Sequence, residues 1–319
     1  MKGIWNGAAG YAKIETKEPM TPMHLHYSGS NAKTYTATAI MMLVEAGKIR
    51  LDAKINTYLP QSLCNNIGNG NEATVRQLLN HTSGIKDFLD DIKYAIDSLN
   101  EPFGSYSPQI FLEYIYDQPP DFPAGSRHEY SNTNYLLLAM LMDYVLGESH
   151  ANFINARIFR HLGLENTYYK NEPGLPKPPG LVNSYADILG NGKLINVSDI
   201  QNHYANATIG EDGYIASSYD YARFLEALFN GDLVSQSSLN EMTKWTGGGY
   251  YGFGLAYANT PYGRAVGHGG GFAGTLTQRR YFPDSKTTIV ILANVGDVGK
   301  PPQLFGELFW DSAIKTVFE

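Results

Sequence analysis

One cysteine, Cys64, occurs in 319 residues. A lone thiol excludes an internal disulfide and leaves the redox compartment unread, and nothing around Cys64 marks it as a catalytic thiol. Long apolar runs are missing too. Ala39 to Val44, Tyr135 to Met142 and Thr288 to Ala293 are the longest, far short of the roughly 18 to 20 residues a bilayer span needs. Met1-Lys2 runs into Gly3-Ile4-Trp5-Asn6-Gly7, which is no signal peptide. Basic residues are in the minority, 24 against 31 acidic for a formal net charge of −7. This balance argues against a nucleic-acid partner or a polybasic membrane adaptor. A Gly-x-Ser-x-Gly elbow is absent, which disfavours an α/β-hydrolase. The eight histidines form no ligand cluster; His24 and His26 read as sharing one strand face without a further ligand, so no metal is expected. Gly-x-Gly-x-x-Gly matches occur at Gly247/Gly249/Gly252 and Gly269/Gly271/Gly274. Neither opens a helix in a βαβ unit, and no dinucleotide or other cofactor is expected.

What is present describes a globular protein. Hydrophobic residues make up 43 % and charged residues 17 %, with 14 Phe, 3 Trp and 23 Tyr, a balance well away from disorder. The length suits one large domain or two lobes. Seams are expected at Pro173 to Gly180 and at Gly247-Gly248-Gly249. Residues 31–46 predict a helix from the spacing of Ala37, Ile40, Leu43 and Val44, with Gly47 as the stop. A second runs from about Thr133 to Val145 and closes at Gly147. A third starts at the capping pattern Ser217-Ser218-Tyr219-Asp220 and ends at Asn230-Gly231. The C-terminal third changes period: Tyr251 to Asn259, Arg264 to Gly270, Leu276 to Phe282 and Thr287 to Asn294 read as strands, the last two joined by Pro283 to Lys286. Residues 302–317 read as an amphipathic helix carrying Leu304, Phe305, Leu308, Phe309 and Ile314. Helices first and a covered meander afterwards predict an α/β (α+β) fold, an antiparallel sheet lobe beside a mostly helical one. Gly3 to Lys13 is strand-like and is expected in the same sheet.

Three short patterns carry chemistry, each common by chance. Ser-x-x-Lys occurs at Ser30/Lys33, Ser83/Lys86 and Ser312/Lys315; Tyr-x-Asn at Tyr130/Asn132, Tyr169/Asn171, Tyr204/Asn206 and Tyr257/Asn259; His-x-Gly at His161/Gly163 and His268/Gly270. Position selects among them. Ser30 stands at the start of the first helix after Gly29, with Lys33 on the same face three residues on. A serine hydroxyl needs a neighbouring base, and a lysine becomes one when burial and the positive helix end lower its pKa. The helix start also offers backbone N–H groups to an oxyanion. Ser83 lies in a loop and Ser312 inside the last helix. Tyr130-Ser131-Asn132 precedes the second helix, where a phenol beside a lysine can shuttle protons and an asparagine can hold an amide. Tyr169, Tyr204 and Tyr257 lack that setting. His268-Gly269-Gly270-Gly271 lies on or after a strand, where glycines admit a close backbone.

In this order the three patterns resemble the serine β-lactamase and penicillin-binding-protein superfamily, whose serine element is Ser-x-x-Lys. The flanks resemble it too: Leu78-Leu79-Asn80-His81-Thr82-Ser83-Gly84, Tyr58-Leu59-Pro60 and Gly213-Tyr214-Ile215-Ala216-Ser217. The likeness spans about residues 5 to 300 and is greatest to the D-alanyl-D-alanine carboxypeptidase and class C β-lactamase-like branch, which also holds esterases and D-aminopeptidases. It implies a β-lactamase/transpeptidase-like fold and a serine hydrolase working through an acyl-enzyme. Ser30 would be acylated, with Lys33 and Tyr130 moving the proton. Asn132 would orient the acyl amide, and His268 would stand where many members have lysine. Gly270 and Gly271 would belong to the substrate strand, and the N–H groups of Ser30 and Gly271 would form the oxyanion hole. His81 and Thr82 look like a structural loop.

The implied substrate is a small molecule, a peptide or an ester, with β-lactams and cell-wall peptides among them. The resemblance points first to a D-alanyl-D-alanine carboxypeptidase or β-lactamase-like activity, with a carboxylesterase or D-aminopeptidase of the same fold and a non-catalytic penicillin-binding sensor as the alternatives. Two departures bear on this choice. Ala256 stands where related carboxypeptidases have arginine, leaving Arg264, Arg279 or Arg280 to compensate, and Gly271-Phe272 stands where β-lactamases tend to have hydroxyl residues. The resemblance further implies a discontinuous sheet lobe of residues 1–28 and 210–319 around a helical lobe of residues 29–209, with the site in the cleft. It also implies a helix and a first strand ahead of Ile4, and an extracytoplasmic protein whose export segment lies outside this sequence.

Overall fold

The computed structural model describes residues 3–104, 106–170, 176–246, 249–296 and 301–319. The expected seams and the Gly247/Gly249/Gly252 and Tyr169/Asn171 matches fall partly outside them. The first helix, α1 (Ala32–Glu45), is buried on every side from Ala32 to Met41 instead of showing one apolar face. Its short polar side chains make this possible: Thr34 Oγ1 donates to Gly254 O and Thr36 Oγ1 to Gly210 O, both at 2.7 Å. The second, α2 (Asn132–Leu146), ends as expected at Gly147, whose φ is +71°. The third, α3 (Ser218–Asn230), starts with Ser217 Oγ accepting from Asp220 N and stops at Gly231 with φ +85°.

The C-terminal strands form an antiparallel meander: β1 (Ala256–Thr260), β2 (Gly263–Phe272), β3 (Thr275–Phe282) and β4 (Thr287–Ala293), in spatial order β4-β3-β2-β1. The alternation along β4 decides its cover. Val290 and Leu292 pack on the main core that includes Phe224 of α3, whereas Ile289 and Ile291 face a smaller core with Phe282, Phe309 and Ile314. The helical run 301–318 covers that second face, but a π-type stretch, Glu307–Ala313, shifts its register. Phe305, Phe309 and Ile314 are therefore buried, while Leu304 and Leu308 are exposed.

Two strand expectations are corrected. Residues 251–255 do not extend β1, because Gly254 turns at φ +61° beneath α1, where a Cβ would meet Lys33 O at 2.5 Å. At the N-terminus only Tyr11–Lys13 is a strand, and it pairs with Glu18–Pro19 rather than with the main sheet. The Ala12 carbonyl accepts from Asn183 N and Asn294 Nδ2, so this segment lies across the end of β4 instead of beside it. A further antiparallel sheet places Tyr214–Ala216 between His26–Tyr27 and Thr167–Tyr169. It delivers the chain to Ser28. No helix among the described residues is long and apolar enough to cross a membrane. Cys64 is buried, and burial pushes its thiol pKa up, away from reactivity.

Candidate active site

Ser30 sits on a tight turn, Gly29–Asn31, that runs straight into α1. Gly29 has φ +51°, and a Cβ there would lie 2.8 Å from Gly271 N. Gly270 answers it: a Cβ there would meet Ser28 O at 2.2 Å and Ser30 N at 2.9 Å. Only glycine at both positions lets the start of α1 lie flush against β2. Asn31 fastens the turn to β3, donating through Nδ2 to Thr277 Oγ1 and accepting at Oδ1 from Arg279 Nε at 2.7 Å. Ser30 itself is half-buried.

Lys33, one turn on, is fully buried. Its ammonium donates to Ser30 Oγ at 3.1 Å, to Asn132 Oδ1 at 2.7 Å and to Glu211 O at 3.2 Å. All three of its donors are thus used. Nζ also lies 3.6 Å from Glu211 Oε2 and 5.0 Å from the Tyr130 ring centre. Burial lowers the Lys33 pKa, while Glu211, Asp87 and Asp212 work to raise it.

The Tyr130 hydroxyl is buried with no hydrogen bond of ordinary geometry. Burial raises its pKa well above the usual value, and the neighbouring Ser30 hydroxyl opposes that shift. His81 supports the loop from below: its ring centre is 4.3 Å from that of Tyr130, and Nδ1 accepts from Ser131 N at 3.2 Å. It is a buried residue with φ +58°, held neutral by burial and by Lys33, a setting that fits a loop support. Asn132 opens α2, and Asp87 Oδ2 accepts from both its backbone N at 2.9 Å and its Nδ2 at 2.7 Å. The sequence reading missed Asp87, which caps α2 from a loop 45 residues earlier.

Glu211 and Asp212 were missed as well. Both are buried. Tyr204 Oη donates to Glu211 Oε1 at 3.0 Å, and Asp212 Oδ1 accepts from Ser28 Oγ at 3.0 Å and from Gly213 N at 2.7 Å. Burial raises both carboxyls, Glu211 to about 7, with Lys33 pulling the other way. The available signal was an adjacent acidic pair inside the otherwise apolar and glycine-rich Ile209 to Ile215. Tyr204, set aside as a chance Tyr-x-Asn match, reaches Glu211 and stacks on Phe272 with ring centres 3.8 Å apart.

On β2, pairing with β1 ends at Gly267, so His268 to Phe272 run on beside β3 alone. His268 is buried and its pKa falls to about 3, chiefly by desolvation, so the ring is neutral. Nδ1 faces the Gly269 carbonyl and Nε2 is 2.9 Å from Tyr251 Oη. In the neutral ring, Nδ1–H donates to the carbonyl and Nε2 accepts from the phenol. His268 thus stands next to the site, 6.3 Å from Tyr130 between ring centres, without positive charge.

The other motif matches disperse. Ser83 Oγ donates to Asn134 Oδ1 at 2.6 Å, while Lys86 pairs with Asp121 at 2.8 Å. Lys315 lies 3.7 Å from Glu319. Arg279 is buried under α1 with Tyr35, Tyr221 and Phe224 around its guanidinium; Arg280 donates to Ala256 O and lies over Trp310; Arg264 lies over Tyr257. His24 stands in a turn with Thr21 and Glu18, off the strand that holds His26, so the two do not share a face. Among the described residues no cluster of potential metal ligands occurs.

Comparison with known proteins gives the frame for this geometry. Penicillin-binding protein 4* of Bacillus subtilis (strain 168) is 28 % identical over 318 residues, 91 % of this chain, and the chain spans 65 % of that protein's length. Penicillin-binding protein 4 of Amycolatopsis lactamdurans is 31 % identical over 169 residues, 53 % of this chain and 42 % of its own length. A D-stereospecific amidohydrolase from Streptomyces sp. superimposes with TM-score 0.80 at 28 % identity, covering 91 % of this chain and 88 % of that one. The penicillin-binding protein from Bacillus halodurans has the same fold, with TM-score 0.80 at 22 % identity over 98 % and 91 % of the two chains. The family model described as Beta-lactamase matches residues 2–303, nearly the whole chain, and the protein belongs to the β-lactamase family.

Proposed function

We propose that the protein is a serine hydrolase that cleaves amides or esters through an acyl-enzyme at Ser30. The contact that carries this reading is Lys33 Nζ at 3.1 Å from Ser30 Oγ, in a fully buried position that favours the neutral amine. Lys33 takes the Ser30 proton as Oγ bonds to the substrate carbonyl carbon. The carbonyl oxygen becomes an oxyanion between the N–H groups of Ser30 and Gly271, an interaction worth about 3 to 4 kcal/mol of barrier in serine hydrolases. The bond to the leaving nitrogen or oxygen then breaks, and Tyr130, fed by Lys33, protonates the leaving group. Water gives a proton back to the same pair, attacks the acyl carbon and frees Ser30. Asn132 spends Oδ1 on Lys33 and one Nδ2 hydrogen on Asp87. Its second Nδ2 hydrogen is the one left for the acyl amide.

The charge pattern favours neutral leaving groups. Arg279, Arg280 and Arg264 each have partners inside the protein, and His268 is neutral. No guanidinium of β2 or β3 is free to bind the carboxylate of a D-Ala-D-Ala peptide or a β-lactam directly: Arg279 and Arg280 are buried among their own partners and Arg264 lies over Tyr257. Amino-acid amides and simple esters therefore fit better than carboxypeptidase or β-lactamase substrates, and the amidohydrolase among the relatives agrees with that choice. The lobes of residues 1–28 with 210–319 and of residues 29–209, and an extracytoplasmic working place, go with this proposal.

The test is a panel of a D-amino-acid amide, p-nitrophenyl acetate, a D-Ala-D-Ala peptide and a chromogenic cephalosporin, followed by product release and intact-protein mass. Turnover of the amide or the ester with a transient adduct, lost in Ser30→Ala, is the expected result. A permanent adduct with penicillin and no turnover of any substrate would mark a sensor instead. Equal adduct formation by wild type and Ser30→Ala would overturn the assignment of the nucleophile.

A further inference from the structure

Lys33 is held by more than the Ser-x-x-Lys and Tyr-x-Asn elements. Its third donor goes to the Glu211 backbone carbonyl, and the Glu211 carboxylate stands 3.6 Å away. Glu211 is itself fixed. Tyr204 Oη donates to its Oε1, and the preceding Gly210 is tied by N to Tyr169 Oη at 2.9 Å and by O to Thr36 Oγ1 at 2.7 Å. Gly210 can do this only as glycine: its φ is +77° and a Cβ would lie 2.3 Å from Tyr135 O. The acid is thus clamped between α1, α2 and the helix Ser198–Ala207, with its charge aimed at one ammonium.

We infer that Glu211 is a positioning residue of the hydrolase: through its carbonyl and its carboxylate it holds Lys33 Nζ against Ser30 Oγ and governs how readily that lysine releases its proton. The inference rests on the acyl-enzyme reading above. Other titratable groups face Glu211 from every side: Lys33 from α1, Asp212 from its own loop, and Tyr204 from the Ser198–Ala207 helix. Asp87 and Tyr94 face it from the segment before α2, and Tyr130 and Tyr169 from their loops. Lys33 is the one cation in this set. An anion 3.6 Å from a buried ammonium favours its protonated form. Glu211 therefore opposes the burial that favours the neutral amine and keeps the resting lysine anchored; once the ammonium has lost its proton to solvent as pH rises, the neutral amine stands aligned to accept the proton of Ser30. Asp212 is turned toward Ser28 and Gly213 and does not take this place.

The experiment measures the rate of Ser30 acylation by p-nitrophenyl acetate against pH, read by intact-protein mass. Loss of the lysine proton sets the acid limb. Glu211→Gln moves this limb down by about one pH unit or more, because the ammonium loses its nearest anion. Glu211→Asp keeps the charge, so its limb stays at the wild-type position while the plateau rate falls. Tyr204→Phe removes a donor that favours the Glu211 carboxylate, and it moves the limb the same way as the Gln variant by a smaller amount. Coincident limbs in wild type, Glu211→Gln and Tyr204→Phe, with acylation intact, would overturn the inference and leave the hydrolase reading standing. If Glu211→Gln fails to fold, Tyr204→Phe decides alone. Absence of any Ser30 adduct in wild type across the pH range would instead defeat the acyl-enzyme reading, and this inference with it.

Discussion

Lys33 Nζ and Asn132 Oδ1 lie 2.7 Å apart, although 99 residues separate them in the chain. The bond joins the first turn of α1 to the first residue of α2, and it places a lysine donor where both helix starts converge. Asn132 can hold this position because Asp87 Oδ2 grips it twice, at the backbone N and at Nδ2.

Asp87→Ala is therefore expected to leave two buried donors of Asn132 without an acceptor, a loss of about 1 to 3 kcal/mol of stability per orphaned group. Acylation of Ser30 should fall with it, since the Lys33 acceptor is no longer held. Asp87→Asn retains one acceptor oxygen and should lose markedly less. Urea unfolding and adduct formation check the pair; equal behaviour of the two variants would show that Asp87 does not hold Asn132.

Gly270 and Gly269 are neighbours on β2 with opposite tolerance. A methyl at 270 would press on Ser28 O at 2.2 Å and Ser30 N at 2.9 Å, both backbone, so the turn that carries Ser30 must move. A methyl at 269 meets only the end of the Gln278 side chain, at 2.6 Å from Nε2, which can swing aside. Displacements of about 1 Å cost on the order of a hundredfold in rate. Gly270→Ala should lose that much turnover, and Gly269→Ala should stay within a few fold. Steady-state kinetics on one ester decides it.

These relationships mark where a linear reading of the chain stops. Ser30 and Lys33 were legible because their spacing is local: three residues at a helix start put both on one face. Gly147 and Gly231 were legible as helix stops for the same reason. Asp87, Tyr204 and Glu211 were not, since each acts across a gap in sequence that no periodicity spans. The α1 pattern misled in the opposite direction. Ala37, Ile40, Leu43 and Val44 looked like one apolar face, yet Thr34 and Thr36 are buried as well, satisfied by the Gly254 and Gly210 carbonyls. The same closeness of Gly254 to α1 ended the expected strand at Ala256.

Tyr130→Phe separates chemistry from folding. The hydroxyl is buried without an ordinary hydrogen bond, so its removal leaves no partner unsatisfied. Thermal stability should be unchanged or slightly raised. Turnover should fall by roughly a hundredfold to ten-thousandfold, the usual range for loss of a positioned proton donor. Activity surviving in Tyr130→Phe would remove Tyr130 from the proton path.

His26 offers a test of pH linkage outside the chemistry. Its ring is buried with Nδ1 unpaired, and desolvation lowers its pKa from the ordinary 6.5 to about 3. The unfolded chain therefore binds a proton at this residue between about pH 6.5 and 3 that the folded protein refuses. The folded-state pKa is the depressed one, so the associated stability is fully present above pH 6.5 and drains away as pH falls toward 3. Below pH 6.5 the loss approaches about 1.4 kcal/mol per pH unit for this one group. His268 and His81 are shifted in the same direction and add to the slope. His26→Phe removes one such group, and its melting temperature should decline less steeply than that of wild type between pH 6.5 and 4. The comparison needs only the slopes of Tm against pH, which are insensitive to a constant packing cost of the new ring. Parallel slopes would mean that His26 takes up its proton in the folded state, against the burial that surrounds it.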